Sequence, residues 1–153
     1  MDNYEMLLDQ AESCGLSVKE KPLQYNDGRI RGNRILIRST IETRCQKAAV
    51  LCEEIGHYET AVGNILDQSV TANRKQELRG RIWAYNRLIG LTGILRAYKM
   101  GCRNRYEIAE CLDVPEETLQ EALNYYHARY GVCTQVDNYV IYFEPALGVM
   151  ELI

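Results

Sequence analysis

Apolar residues recur at helical spacing over residues 2–14, where Tyr4, Leu7, Leu8, Ala11 and Cys14 share one face and Gly15 supplies a stop. Leu16 to Glu20 alternates and predicts a first strand. Pro22 and Asn26-Asp27-Gly28 punctuate a turn region. Arg29 to Ile37 predicts two short strands about a Gly32-Asn33 turn, and so a small antiparallel sheet. Thr40 to Thr43 offers a helix start, and Ala48, Ala49, Val50, Leu51 and Ile55 carry the helix to about His57. Gly56 inside that helix costs about 1 kcal/mol relative to Ala, so it calls for close approach of another backbone or a cofactor. Residues 61–73 read as a connecting loop or short helix with Asn64, Asp67 and Asn73 as polar members. Another helix is expected over about Arg74 to Leu91, with Leu78, Ile82, Tyr85, Leu88 and Ile89 as its stripe.

Residues 103–130 carry the pattern of a helix-turn-helix. Tyr106, Ile108, Ala109 and Leu112 mark a first helix, Asp113-Val114-Pro115 a turn, and Leu119, Ala122, Leu123 and Tyr126 a second helix. Val132 to Phe143 is strand-like about Asp137-Asn138, which predicts a C-terminal hairpin. The expected fold is α+β: a mostly helical core with a small antiparallel sheet (1–100), a helix-turn-helix-like unit (101–131), and a C-terminal hairpin and tail (132–153).

With 153 residues, 46% of them hydrophobic, the chain can bury a real core. Its net charge of −3 gives no global pull toward nucleic acid or anionic lipid. No run of about 18 apolar residues predicts a membrane span. Met1 to Glu5 lacks the basic and apolar regions of a signal peptide, so a cytoplasmic protein is expected. The six cysteines form no C-x-x-C pair, which argues against a zinc ribbon. Cys45 and Cys52, near the motif described next, read as small core hydrophobes rather than thiolate ligands.

The candidate chemistry lies in Glu53-Glu54-Ile55-Gly56-His57. A zinc-protease helix carries His-Glu-x-x-His, two ligands on one face with a general base beside them. Here Glu53 stands in the first ligand position, Glu54 in the base position and His57 in the second ligand position. Positions i and i+4 of a helix point the same way, so Glu53 and His57 can converge on one ion. Glu54 lies about 100° round the helix, where it can reach water without ligating. A third protein ligand is required. Taken alone, a Glu-His pair at this spacing is more often a solvated face. His127 has no Cys or His at metal spacing and reads as an ordinary surface residue.

The run from Lys47 to His57 resembles the active-site helix of the ImmA/IrrE family of metallopeptidases. A second family motif, a ligand Glu, then Ala-Asn, then an aromatic-Ala pair, is similar to Glu77-Leu78-Arg79-Gly80-Arg81-Ile82-Trp83-Ala84-Tyr85. Gly80-Arg81 departs from Ala-Asn, and Glu53 departs from the first His. The resemblance covers about residues 1–130. It implies a minimal zincin with Glu53, His57 and Glu77 as ligands and Glu54 as base. Zinc is the metal implied, and two carboxylates among three ligands widen the choice toward manganese or iron.

Members of that family cleave a helix-turn-helix repressor of a prophage or integrative element, so the resemblance implies a metal-dependent endopeptidase with a protein substrate of that kind. Residues Arg34, Ile35, Leu36 and Ile37, read as an edge strand, would hold an extended peptide by strand addition. The alternative is a catalytically weak or inactive relative acting as a protein-binding regulatory module. Binding of DNA by the helix-turn-helix is disfavoured, because three Arg face six acids between Arg103 and Gly131 and the second helix opens Glu116-Glu117.

Overall fold

The structure is a computed structural model that describes residues 1–61 and 70–153. Contacts divide the chain into two units, Met1–Ala84 and Tyr85–Ile153. The elements are α+β, as the pattern predicts.

In the first unit, α1 (Asn3–Ser13) is capped by the Asp2 carboxylate, which accepts from the Glu5 amide. It buries Tyr4, Leu7 and Ala11 and stops at Gly15, whose φ of 77° suits glycine. Strands β1 (Ser17–Lys21), β2 (Gly28–Arg31) and β3 (Arg34–Arg38) form a sheet of order β1-β3-β2. β2 and β3 make the expected antiparallel hairpin about Gly32, whose φ is 62°. β1 pairs parallel to β3 on the other side, so the sheet is mixed rather than purely antiparallel.

This order corrects one expectation. Arg34, Ile35, Leu36 and Ile37 lie in the central strand, hydrogen-bonded on both sides, and cannot add a peptide strand. Alternation identifies a strand but not its neighbours, and β1 reaches β3 across the intervening hairpin. The edges are β1 and β2, and β2 is the one beside the candidate site.

Helix α2 (Arg44–Thr60) begins with a capping box: the Gln46 amide donates to Thr43 Oγ1 and the Gln46 side chain accepts from the Thr43 amide. Its inner face, Ala48, Leu51, Cys52 and Ile55, is buried and, with Ile35 and Ile37 of β3, makes the core of this unit. Helix α3 (Val70–Leu88) follows. The expected connecting residues Asn64 and Asp67 lie outside the described residues, and Asn73 belongs to α3. The α3 stripe holds only toward its C-terminus: Tyr85, Leu88 and Ile89 are buried, whereas Leu78 is exposed.

The expected helix to Leu91 breaks earlier. Ile89 leaves helical geometry, Gly90 takes a φ of 62°, and α4 (Gly90–Lys99) starts there. The second unit continues with α5 (Arg105–Leu112) and α6 (Glu116–Tyr130), joined by Asp113 in the left-handed region and Pro115 at the cap of α6. Their inward residues, Ile108, Leu112, Leu119, Ala122 and Tyr126, are the ones the helix-turn-helix pattern names. The Tyr126 hydroxyl donates to Asn86 at 2.9 Å. The hairpin β4 (Cys133–Val136) and β5 (Tyr139–Tyr142) turns at Asp137, with a φ of 53°. A third strand, β6 (Gly148–Glu151), pairs with β5 and was not legible in four residues opening on Gly. Among the described residues, no helix is long and apolar enough to cross a membrane.

Candidate metal centre

Helix α2 presents Glu53 and His57 on one face, and α3 delivers Glu77 to the same point. One ligand atom from each lies within 4.8 Å of the other two. His57 Nε2 stands 3.8 Å from Glu53 Oε1 and 3.5 Å from Glu77 Oε2. Tetrahedral ligands at 2.0–2.2 Å from zinc lie about 3.4 Å apart, so these separations are near those of a shared ion. The donors, one imidazole nitrogen and two carboxylate oxygens, fit a divalent cation. The trio drawn from the sequence is therefore one cluster that can hold a metal ion.

Arg81, one turn beyond Glu77, also reaches the cluster, with its Nε 3.4 Å from Glu53 Oε1. The signal for Arg81 in the sequence is its i,i+4 spacing from Glu77. Glu53 is thus shared between His57 and a guanidinium.

Glu54 points elsewhere, as its offset round the helix requires. It is the one buried charged residue among those described. Burial pushes its carboxyl up to about 7, and the charges of Glu53 and Glu77 add to the shift. A carboxyl poised there can both take and return a proton near neutral pH.

Three glycines shape this site. A Cβ on Gly28 in β2 would stand 2.6 Å from Val50 Cγ1 and 3.3 Å from Glu54 Oε1, so the missing side chain is the space in which Glu54 sits. The sequence placed Gly28 in a turn, and its strand position is the correction. A Cβ on Gly56 would stand 2.5 Å from the Gly80 carbonyl oxygen, which answers why glycine occupies mid-helix. Gly80 in turn seats the His57 imidazole: a Cβ there would lie 2.5 Å from Cε1, 3.0 Å from Cγ and nearer still to Nδ1. Glycine at position 80 is thus matched to the position of the ring.

The cluster opens into a cleft of about 930 Å³, lined by Gly28, Arg29, Glu53, Glu54, His57 and Glu77 among others. Cys52 is buried in the core, with its thiol facing the Ala84 carbonyl at 4.0 Å, and Cys45 lies by Thr43, so neither joins the donors. His127 pairs with Glu144 in the second unit.

Gly80→Ala is expected to keep the fold, because the imidazole can swing away from the new methyl, and to weaken at least tenfold whatever divalent-ion binding the cluster supports, by moving Nε2 out of it. Competition against a chromogenic chelator reads this directly. Unchanged affinity would show that the seat does not position the ring.

No family model, curated protein or solved structure matches the chain.

Proposed function

We propose that this chain is a metal-dependent endopeptidase of the cytoplasm whose substrate is a helix-turn-helix repressor protein of a phage or integrative element. The observation that carries the reading is the convergence of Glu53, His57 and Glu77, with the buried Glu54 carboxyl beside them. Zinc is the expected ion, with manganese or iron admissible for a donor set two-thirds carboxylate. The ion's contribution is Lewis acidity toward the peptide carbonyl and toward water.

The chain's own groups do the rest. Glu54, buried beside the cluster, accepts a proton from water and returns it to the leaving amine. Edge strand β2, whose Gly28, Arg29 and Ile30 line the cleft, is the strand on which an extended peptide pairs. A second reading, a protein-binding relative that does not cut, is favoured by the Arg81–Glu53 ion pair, which competes with an ion for that carboxylate.

Metal content by plasma mass spectrometry distinguishes these readings. Wild type is expected to carry about one equivalent, lost in Glu53→Ala, His57→Ala and Glu77→Ala. Glu54→Gln should retain metal while cutting the repressor about 100-fold to 10,000-fold more slowly. Absence of metal, or undiminished cutting by Glu54→Gln, defeats the proposal. Metal and repressor binding without cleavage selects the second reading.

A further inference from the structure

The two faces of the first unit's sheet differ sharply in charge. Ile35 and Ile37 of β3, Val18 and Glu20 of β1, and Gly28 and Ile30 of β2 share the inner face. Glu20, the acid among them, is held by Tyr4 at 3.0 Å and by Lys47 at 2.6 Å. The outer face follows from the register: Ser17 opposes Arg34, which opposes Arg31; Lys19 opposes Leu36, which opposes Arg29; Lys21 opposes Arg38. Six of its eight positions are cations and none is an acid, in a chain whose net charge is −3.

Only Arg38 is neutralised, by Asp27 at 3.4 Å; among the described residues no acid pairs with Lys19, Lys21, Arg29, Arg31 or Arg34. Two cross-strand pairs, Arg31 with Arg34 and Lys21 with Arg38, set like charges directly opposite each other. Such pairs destabilise a sheet. Asp27 relieves the second pair through Arg38, whereas no acid among the described residues pairs with Arg31 or Arg34, a repulsion that an external polyanion would offset.

We propose that this face docks duplex nucleic acid through its phosphate backbone, without reading sequence. The chemistry narrows the occupant. Four of the six cations are arginine, which meets phosphate bidentately. Along a strand the side chains of one face recur at about 6.8 Å, and neighbouring strands lie about 4.8 Å apart, so the charges form a flat lattice rather than a pocket for one small anion. The face presents no aromatic ring on which unpaired bases would stack, which argues for duplex over single strand. Its one apolar member, Leu36, is half-buried, so it lacks the apolar anchors of a membrane-binding or protein-binding surface. The face belongs to the first unit, and the acidic helix-turn-helix pattern to the second.

The test is fluorescence anisotropy with a labelled 20-base-pair duplex of arbitrary sequence and full-length protein, from low to physiological salt. Binding is expected in the micromolar range at low salt. Each phosphate contact contributes about −0.9 to the slope of log affinity against log salt, so the full face gives a slope of about −5. The double variant Arg31→Gln/Arg34→Gln should weaken binding at least tenfold at low salt and shallow the slope by about 2. Its melting temperature should be equal or higher, because a repulsive pair is gone, which separates lost docking from lost folding. Lys75→Gln/Arg79→Gln, which removes the same charge from exposed positions of α3, should change binding less than threefold. The proposal is overturned by no duplex binding at low salt, or by equal losses in both double variants. It is also overturned if polyglutamate competes as well as duplex at equal charge, which would mark an acidic-protein site. Binding to phosphatidylserine vesicles without binding to duplex would overturn it in favour of a membrane surface.

Discussion

Gly56→Ala is expected to destabilise the protein by about 1–2 kcal/mol, although alanine is the better helix former. The methyl would stand 2.5 Å from the Gly80 carbonyl oxygen and 3.2 Å from Gly80 C and Cα. These are backbone atoms of a second helix, so no rotamer relieves the clash and α2 must separate from α3. Overpacking of this kind costs about 1–3 kcal/mol and occasionally more, and parting the helices also loosens the burial of Cys52 and Ala84. The gain in helix propensity, about 1 kcal/mol, offsets part of this. Gly93→Ala is the matched control. Its Cβ would meet the Leu112 methyls at 3.7 Å, an ordinary contact, so the same change in α4 should be neutral or stabilise by up to about 1 kcal/mol. Urea denaturation of both variants checks the contrast, and Gly56→Ala as stable as wild type would mean that the helices have room to part.

Glu54→Gln is expected to stabilise the metal-free protein, and increasingly so as pH rises. An unfolded glutamate titrates near 4.5, whereas in the fold this carboxyl titrates near 7 because it is buried and faces Glu53 and Glu77. Between those values the folded chain holds a proton that the unfolded chain has lost. Wild-type stability is therefore full below about 4.5, falls through the interval, and levels off above about 7. The shift corresponds to about 3 kcal/mol of stability forgone at pH 8. Glutamine carries no charge to desolvate, so the variant should match wild type near pH 4 and exceed it by about 2–3 kcal/mol at pH 8. Melting curves in chelator across that range measure the difference. Parallel profiles for the two proteins would show that Glu54 does not titrate in the fold.

Both variants act on residues that the sequence singled out, and the physical reason for each became visible only in three dimensions. Gly56 was legible as a residue needing close approach, because a mid-helix glycine is costly, but the approaching atom came from Gly80. The i,i+4 spacing of Glu53 and His57 dictated their shared face, since that is a property of one helix. Glu77 came from a motif 20 residues on, and its arrival depends on how α3 crosses α2. Gly28 and Arg81 were passed over because their roles exist only across elements: one empties space in a strand for a helix's side chain, the other pairs with a carboxylate 28 positions away in the chain. The strand order failed for the same reason. Alternation reports a strand's two faces and says nothing of which chain lies on either edge.

The Gly56–Gly80 crossing also ranks the three ligands by rigidity. The turn of α2 from Leu51 to Ile55 has its core side chains fully excluded from solvent, so its amides should exchange with deuterated water among the slowest of the first unit. Glu53 and His57 hang from that turn, and the His57 side chain is only 15% exposed, whereas that of Glu77 is 58% exposed. On the proposed reading the two α2 ligands therefore start from a more ordered position than Glu77, and less conformational entropy remains to be lost there. On that reading Glu77 closes last, so ion capture should be a two-step event: a fast bidentate encounter on α2, followed by a slower locking step whose rate responds to substitutions in α3 and not to those in the sheet.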